Sequence, residues 1–391
     1  MPFTRKLTEK IKAFISSQNC LILGFCLILT SVLILIPTGF EKALQFKDAE
    51  KCKVLIESAD NSRLINTGLI RTGQQVCSVK FLSGKFKGKT TEGWNMLSGS
   101  LAQDKLFKEG DKAQAVVHYE ILENGEVEFY SVNLIDFYRL NGELYLSLAF
   151  ALFLIIFARG TGMRSVMSFV ITVLVLWKIL VPLYLKGVNP IFSGIIVVAI
   201  MTFVILALVY GFDKRLLSSF LGSMSGILFA SILSIICTKA FHIHGAVMEN
   251  SESLLYSGFQ DLNLTQIFMA SVFIGASGSV MDLSVDITSA VNEVVKTARS
   301  KGIRLSKKEA INSGIAVARA AMGTMTTTLL LAYSGTCIAL LMVFMAQGTP
   351  LYNILNNNVV SAEIINTIAG SFGLAMTAPF TAFMAGTFLT D

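Results

Sequence analysis

The chain is 391 residues long, and only 15% of its residues are charged, whereas a soluble domain normally carries about a quarter. Hydrophobic residues make up 53% and gather in long apolar runs, which excludes an ordinary soluble domain and predicts a polytopic membrane protein. The net charge of +6 does not indicate nucleic-acid binding, because the basic residues lie mainly in short connections and in one polar domain.

The first predicted element is an uncleaved membrane helix. A short basic segment at 1–19 precedes an apolar run at 20–36, which ends at Pro37. A signal peptide has the same plan, but no small-x-small cleavage site follows the apolar run. We therefore predict that residues 1–37 are a cytoplasmic N-terminus and the first transmembrane helix.

Residues 38–142 are predicted to form a domain outside the membrane. Segments rich in Val, Ile, Phe and Tyr alternate there with turn signals, and Asn124 and Gly125 are typical of a hairpin turn. This pattern predicts a small β-rich barrel or sandwich. Cys52 and Cys77 could form a disulfide if the domain lies outside the cell, and no cysteine has the spacing of a zinc site.

The rest of the chain, 143–391, is predicted to be a seven-helix transmembrane domain. Its apolar segments are 143–159, 165–185, 190–210, 217–239, 265–288, 320–346 and 362–388. In an eight-span arrangement, the basic connections at 159–164, 213–215 and 296–319 fall on the same side as the N-terminus. We therefore predict an all-α bundle of about eight helices in the plasma membrane, with both termini in the cytoplasm.

One of these segments carries acids on a single face. At 100° per residue, a group of small and acidic residues falls within an arc of roughly 100°. Its members include Gly275, Gly278, Ser279, Asp282 and Asp286. Because a carboxylate facing lipid would cost several kcal/mol, this face is expected to meet other helices or water.

The chemistry of the two acids leaves three interpretations open. Asp282 and Asp286 stand one helical turn apart, about 6 Å, so both cannot ionise freely in a bundle of low dielectric. A carboxyl in such a place can exchange a proton or hold a cation. Alternatively, the helix leaves the membrane near Asp282, about 25 Å from Thr265, or the acids form a salt bridge with Arg319.

Small and hydroxyl residues mark the helix faces that are expected to pack together or to support this site. Gly222 and Gly226 form a small-xxx-small pair. Ser306 is a candidate N-cap, with Glu309 three residues later, for a basic amphipathic helix before the seventh span. The seventh span adds Gly323, Thr326, Thr327 and Thr328.

Catalysis, cofactors and metals are not predicted. GASG at 275–278 matches a serine-protease motif, but the three histidines, His118, His242 and His244, lie outside the apolar segments, so no base accompanies the serine. No phosphate-binding GxxxxGK[ST] loop is present in the sequence, which disfavours an ATP-driven pump. We therefore expect a protein that is not an enzyme.

Several stretches resemble the YibE/F family of bacterial membrane proteins. They are GKFKGKTTEGWN (84–95), FKEGDKAQ (107–114), FIGASGSVMDLSVDITSAVNEV (273–294) and GIAVARAAMGTMTTTLLLAYSG (314–335). The resemblance covers nearly the whole chain from the first helix onward. It implies one helix, an outer β-rich domain and then a helical bundle, and it implies no activity.

A second similarity is confined to 275–335, which looks like the core of RND-type permeases, including the SecD and SecF proteins. Members of that family use the acidic helix in proton coupling, and Asp282 matches the acidic position of the motif more closely than Asp286 does. This chain departs from that family, since it has eight apolar runs where an RND half has six.

Two functions follow from these observations. The first is a secondary transporter or permease coupled to protons or sodium, with Asp282 and Asp286 as the coupling groups. The second is a scaffold or accessory subunit whose outer domain binds a protein of the cell envelope. Beyond the lipid bilayer and such a partner, the sequence indicates neither substrate nor oligomeric state.

Overall fold

The computed structural model describes residues 18–40, 49–121 and 127–390. These residues divide into two compact units. One unit is Phe40–Phe153, and the other joins the segment up to Gly39 with everything from Leu154 onward.

The smaller unit is a closed β-barrel. Its strands are β1 Glu50–Asp60, β2 Leu64–Asn66, β3 Arg71–Phe81, β4 Thr90–Ser98, β5 Lys112–Ile121 and β6 Val127–Phe137. β1 pairs with both β3 and β5, and β4 meets β6 in parallel at Trp94 and Asn133, so the sheet closes on itself. β1, β3 and β4 are consecutive antiparallel strands, and β5 returns beside β1, which is a Greek key. Of the two predicted alternatives, the structure has the barrel: five strands, β1, β3, β4, β6 and β5, form a closed Greek-key ring like that of OB-folds, and the three-residue β2 pairs only with β3.

The barrel core contains both cysteines of this unit as free thiols. Cys52 lies on β1 and Cys77 on β3, where Cys77 is paired with Ala59. Ala59 is seven residues beyond Cys52, or about 23 Å along the strand, which is too far for a disulfide. The predicted turn at Asn124 and Gly125 lies outside the described residues, although the strands that flank it, β5 and β6, pair antiparallel.

The larger unit is helical. The helices of the chain are α1 Gln18–Leu35, α2 Leu140–Val175, α3 Val181–Leu185, α4 Pro190–Tyr210, α5 Lys214–Ala240, α6 Ser251–Tyr256, α7 Leu264–Ser300, α8 Lys307–Ala346, α9 Leu351–Leu355 and α10 Asn358–Thr390. A π-helical turn, Leu176–Leu180, joins α2 to α3. Within the described ranges, six stretches are long and apolar enough to cross a membrane: Leu140–Leu185, α4, α5, α7, α8 and α10. A shorter apolar helix covers Gly24–Leu35.

The first of these stretches changes direction at Arg159. The backbone of Arg159 is not helical, with φ 51° and ψ −120°. A Cβ placed on Gly162 would overlap the carbonyl oxygen of Leu154. In a continuous helix these residues would be about 12 Å apart along the axis, so the chain doubles back here. The two apolar segments predicted at 143–159 and 165–185 are therefore separate arms.

The core of the helical unit is built on glycines. A Cβ on Gly222 would overlap Thr381 of α10, and a Cβ on Gly226 would overlap Thr377. The prediction that Gly222 and Gly226 mark close helix contact is therefore confirmed. Because a side chain at either position would push α5 and α10 apart, the glycines set the distance between these helices.

Hydroxyl groups join α5 to α7. Ser219 Oγ donates to Thr288 Oγ1 at 2.9 Å, and Ser223 Oγ and Ser284 Oγ are 2.6 Å apart. All four residues are fully buried. As the residue number rises on one helix it falls on the other, so the two helices are antiparallel and their register is fixed by these bonds.

α8 starts where the sequence predicts. Ser306 accepts from the backbone N–H of Glu309, and the Glu309 carboxylate accepts from the backbone N–H of Ser306, which is a complete capping box. The predicted amphipathic helix is not a separate element, however. It continues without a break into the seventh predicted span, 320–346, giving one helix of 40 residues.

Candidate functional site

The acidic face of α7 is uncovered in the helical unit. Gly275, Gly278, Asp282 and Asp286 are exposed, and Ser279 is half-buried. The opposite face of α7, which includes Phe273, Val280, Leu283, Ile287 and Val291, is fully buried in the core. The two faces thus separate as the sequence pattern predicts, and the apolar face is the one that packs against the other helices.

α8 packs along α7 and meets its polar face at one end and its buried face at the other. A Cβ on Gly275 would overlap the Tyr333 hydroxyl, and Val291 packs against Gly314, where a Cβ would be 3.0 Å from its side chain. These two contacts fix the register of α7 and α8 at both ends. Interpolating between them places Asp282 level with Thr324.

The height of Asp282 in the bundle follows from the bond between Ser223 and Ser284. α5 has 27 residues, which makes it about 40 Å long, and Ile227 is close to its midpoint. Asp282 precedes Ser284 by two residues and therefore lies within about 3 Å of the height of Ile227. From the start of α5 at Lys214, Asp282 is about 16 Å deep. The packing favours a carboxylate at mid-height over one at the helix exit.

A salt bridge between the acids and Arg319, one of the three interpretations left open by the sequence, is not formed in the described part of the chain. No ion pair there includes Asp282, Asp286 or Arg319. Arg319 lies on the exposed side of α8. Of the three interpretations of the acids, the salt bridge is therefore the one that the geometry does not support.

The hydroxyls of α8 are bonded to their own helix. Thr326 Oγ1 donates to Met322 O at 2.9 Å, Thr327 Oγ1 to Gly323 O at 3.0 Å, and Thr328 Oγ1 to Met325 O at 2.8 Å. A hydroxyl that donates to the backbone keeps its oxygen as an acceptor. Gly323, Thr327 and Thr328 are exposed and Thr326 is half-buried. At 100° per residue Thr326 and Thr328 lie on different sides of the helix, so these residues do not form one face. Among the described residues, no hydrogen bond joins them to Asp282 or Asp286.

A further acid, Glu363 of α10, was missed by sequence reasoning. Thr336 Oγ1 donates to Glu363 Oε1 at 3.2 Å, and Asn366 Nδ2 donates to Glu363 Oε2 at 3.2 Å. These side chains line a cavity of about 330 Å³ together with Ser271 and Glu249. The signal was available: Glu363 and Asn366, three residues apart, are the only acidic and amide side chains in the last apolar segment.

These features join into one polar face along α7, which we define as Ser271, Gly275, Gly278, Asp282, Asp286 and Ser289. Ser271 lines the Glu363 cavity at one end. At the other end, Ser289 Oγ is 2.8 Å from the Tyr210 hydroxyl. From Ser271 to Ser289 the helix rises about 27 Å, close to the thickness of the hydrocarbon layer of a membrane.

Comparisons with known proteins return one match. A family model described as YibE/F-like protein matches residues 146–391. No curated protein and no solved structure matches the chain. The family match covers the whole of the polar face of α7 and the Glu363 cavity.

Proposed function

The chain belongs to the YibE/F-like family, and from this premise we propose that it is an ion-coupled secondary transporter, driven by protons or sodium. The family and the apolar helices make the chain an integral membrane protein. The observation that carries the proposal is the polar face of α7, with Asp282 near mid-height and the Glu363 cavity at one end.

The mid-height position of Asp282 gives it a coupling role. A carboxylate at this depth is costly when charged, unless a proton, a cation or water accompanies it. Asp286 stands one turn away, so a single positive charge taken up between them relieves the repulsion of both. Since Asp282 is exposed, the proposal requires water and not lipid on the uncovered side of α7, and the ion reaches Asp282 through that water.

Glu363 has a different part in the proposal. Its two oxygens accept bonds from Thr336 and Asn366, so the carboxylate is held in place by neutral donors. A fixed acid in a cavity attracts cations without needing to move. In this proposal Glu363 attracts the ion where it enters. Asp282 takes up and releases the ion during transport.

The proposed topology has eight spans. α1, the two arms on either side of Arg159, α4, α5, α7, α8 and α10 are the spans, and both termini are in the cytoplasm of a cell whose plasma membrane holds the protein. In this topology the barrel lies outside. The Glu363 cavity then opens toward the outside and Ser289 lies toward the cytoplasm.

The proposal includes no catalytic step, no resident cofactor and no metal. Its support is the chemistry of the spans, where carboxylates, an amide and hydroxyls can bind an ion but no histidine of the sequence accompanies a nucleophile. The substrate class is left open, because the polar face describes the coupling ion and not the cargo.

A scaffold or accessory role is the second candidate, and the barrel favours it. Leu69 is 87% exposed and Leu101 is 74% exposed. Both line a cavity of about 230 Å³ together with Arg71 and Asp104. Exposed leucines around a polar-rimmed cavity are typical of a surface that binds another protein. In this role a partner in the cell envelope occupies the barrel surface, and the acids brace the bundle.

The test compares Asp282→Asn with Glu293→Gln. Glu293 is also an exposed acid of α7, but it lies beyond the polar face at the basic end of the helix. The purified full-length protein is treated with dicyclohexylcarbodiimide, which modifies protonated carboxyls in apolar surroundings, and the modified peptides are identified by mass spectrometry. We expect Asp282 to be modified in the native protein and in Glu293→Gln, and the modification to slow as pH rises. Protection by sodium would identify sodium as the ion.

Transport itself is measured in proteoliposomes that contain a pH-sensitive dye or, in a parallel preparation, a sodium-sensitive dye. A small-solute extract is added under an imposed ion gradient, and we expect a solute-dependent proton or sodium flux that Asp282→Asn abolishes and Glu293→Gln retains. An Asp282→Asn protein that is folded and gives the same flux would remove Asp282 from the mechanism. A change in abundance alone, with a partner captured by the barrel, would favour the scaffold.

A further inference from the structure

The Glu363 cavity contains negative charge that no basic side chain balances. The two charged residues that line it, Glu249 and Glu363, are both acidic. Among the described residues, no ion pair includes either carboxylate. Glu249 is exposed, whereas Glu363 is half-buried, so Glu363 is the carboxylate with less water around it. A single positive charge in the cavity would balance the charge of Glu363.

The hydrogen bonds of Glu363 favour its charged form. Asn366 Nδ2 donates to Glu363 Oε2 at 3.2 Å, and the Thr336 hydroxyl lies 3.2 Å from Oε1. Donors that bond to the carboxylate stabilise it relative to the protonated acid. The positive charge that the cavity lacks is therefore expected to come from a metal cation beside the carboxylate rather than from a proton bound to it.

An amide oxygen beside this carboxylate is buried without a partner. Asn366 Oδ1 is fully buried, and no described residue donates a hydrogen bond to it. The amide group cannot be turned around, because only its Nδ2 can donate to the carboxylate. Nδ2 and Oδ1 of one amide group are about 2.2 Å apart, so Oδ1 lies within about 5.4 Å of Glu363 Oε2. Leaving a buried acceptor unpaired costs free energy, and a bound cation or its water would offset this cost.

The chemistry of the cavity suits a hard cation with one charge. Carboxylate, amide and hydroxyl oxygens are the ligands that hard cations prefer. In the described part of the chain, no three His, Cys, Asp or Glu side chains are grouped as in a transition-metal site. One half-buried carboxylate is balanced by a monovalent ion, whereas a divalent ion would leave positive charge in excess. The cavity of about 330 Å³ also has room for several water molecules around the ion.

We infer that the Glu363 cavity binds a partly hydrated sodium ion, coordinated by the Glu363 carboxylate and Asn366 Oδ1. Ser271 lines the cavity and also belongs to the polar face of α7, so the bound ion lies at one end of that face. The inference rests on the proposed function for the role of the ion, and it makes sodium the coupling ion. Binding of sodium can be measured separately from transport.

The experiment measures binding of radioactive sodium to the purified full-length protein in a scintillation proximity assay. We expect Glu363→Gln to weaken binding about tenfold or more, because it removes the negative charge. The control is Glu252→Gln, which removes an exposed acid of α6 outside the cavity and should bind like the wild type. Asn366→Ala keeps the carboxylate, guards against misfolding of Glu363→Gln, and should weaken binding several-fold.

Unlabelled potassium and calcium are tested as competitors, and we expect sodium to displace the label more effectively than either. Equal displacement by potassium or calcium, or wild-type binding in both Glu363→Gln and Asn366→Ala, would overturn the assignment. Each measurement is repeated in the Asp282→Asn protein, where sodium should still bind in a manner that depends on Glu363. A wild-type protein that binds no sodium, yet carries a proton flux that depends on Asp282, would refute the sodium site and leave the transport proposal standing.

Discussion

Asp282 and Glu363 are both acids in apolar helices, but their surroundings differ. Glu363 is bonded by Thr336 and Asn366 inside a cavity. Asp282 is exposed at mid-height, makes no ion pair with any described residue, and has another acid, Asp286, one turn away. Hydrogen bonds from neutral donors keep a carboxylate charged. A neighbouring like charge instead makes the charge of the carboxylate sensitive to an incoming proton or other cation. This difference is why the transport proposal makes Asp282 the group that exchanges its ion.

The two barrel cysteines allow a residue-scale prediction. Burial raises the pKa of the Cys77 thiol to about 11, and burial together with the Glu50 charge raises the pKa of Cys52 to about 11. At pH 7 roughly one molecule in ten thousand then carries either thiolate, the reactive form. We expect N-ethylmaleimide to leave both residues unmodified in the folded protein and to modify both after denaturation, as read by mass spectrometry. Rapid modification of the folded protein, or a disulfide between the two, would contradict the barrel register.

At the scale of elements, the closest helix contact is between α5 and α10. Gly226 lies against Thr377, and Gly373 lies against Ala230 from the opposite side. α7 joins this pair through the buried bonds of Ser219 and Ser223. Small residues and hydroxyls thus determine how near the helices approach and at which register, as expected where lipid removes the hydrophobic drive for association.

Gly226→Ala tests this contact, with Gly278→Ala as the matched control. A Cβ on Gly226 would also lie 2.6 Å from Gly373 O, whereas a Cβ on Gly278 has no other atom within 4 Å. We expect Gly226→Ala to lower the free energy of unfolding by about 1–3 kcal/mol. Gly278→Ala should leave it unchanged or raise it by up to about 1 kcal/mol, because alanine favours the helix. Thermal unfolding in detergent measures both, and equal midpoints for the two variants would show that the contact is not tight.

At the scale of the whole molecule, the chain combines a Greek-key barrel with a helical unit that has a polar face along α7. In the proposed topology, the basic connections lie on the cytoplasmic side and the barrel on the other. The topology therefore determines that the Ser271 end of the polar face lies toward the outside and the Ser289 end toward the cytoplasm.

Epitope tags inserted at Gly88 and at Gly302 test the topology. Both glycines have positive φ in turns, and a Cβ at either would meet no other atom within 4 Å, so an insertion is tolerated there. We expect an antibody to reach the tag at Gly88 in right-side-out membrane vesicles and the tag at Gly302 in inside-out vesicles. The opposite pattern would invert the orientation, and two tags on the same side would exclude the eight-span arrangement.

The sequence by itself determined the features that depend on neighbouring residues. Long apolar runs indicated the membrane helices. The small-xxx-small spacing of Gly222 and Gly226 predicted a close helix contact, and the pair Ser306 and Glu309 predicted the start of α8. The face that carries Asp282 and Asp286 was also visible, because helical periodicity places residues three and four apart on one side.

Only the tertiary structure determined the features that depend on contacts between residues far apart in the sequence. The closure of the barrel needs β1 to meet β5, and the height of Asp282 needs the bond between Ser223 and Ser284, which are 61 residues apart. Glu363 became part of a site only when Thr336 and Ser271 were brought beside it. These contacts depend on the register at which helices and strands pack. The sequence alone could not predict them, because the same local pattern of hydrophobicity is compatible with many registers.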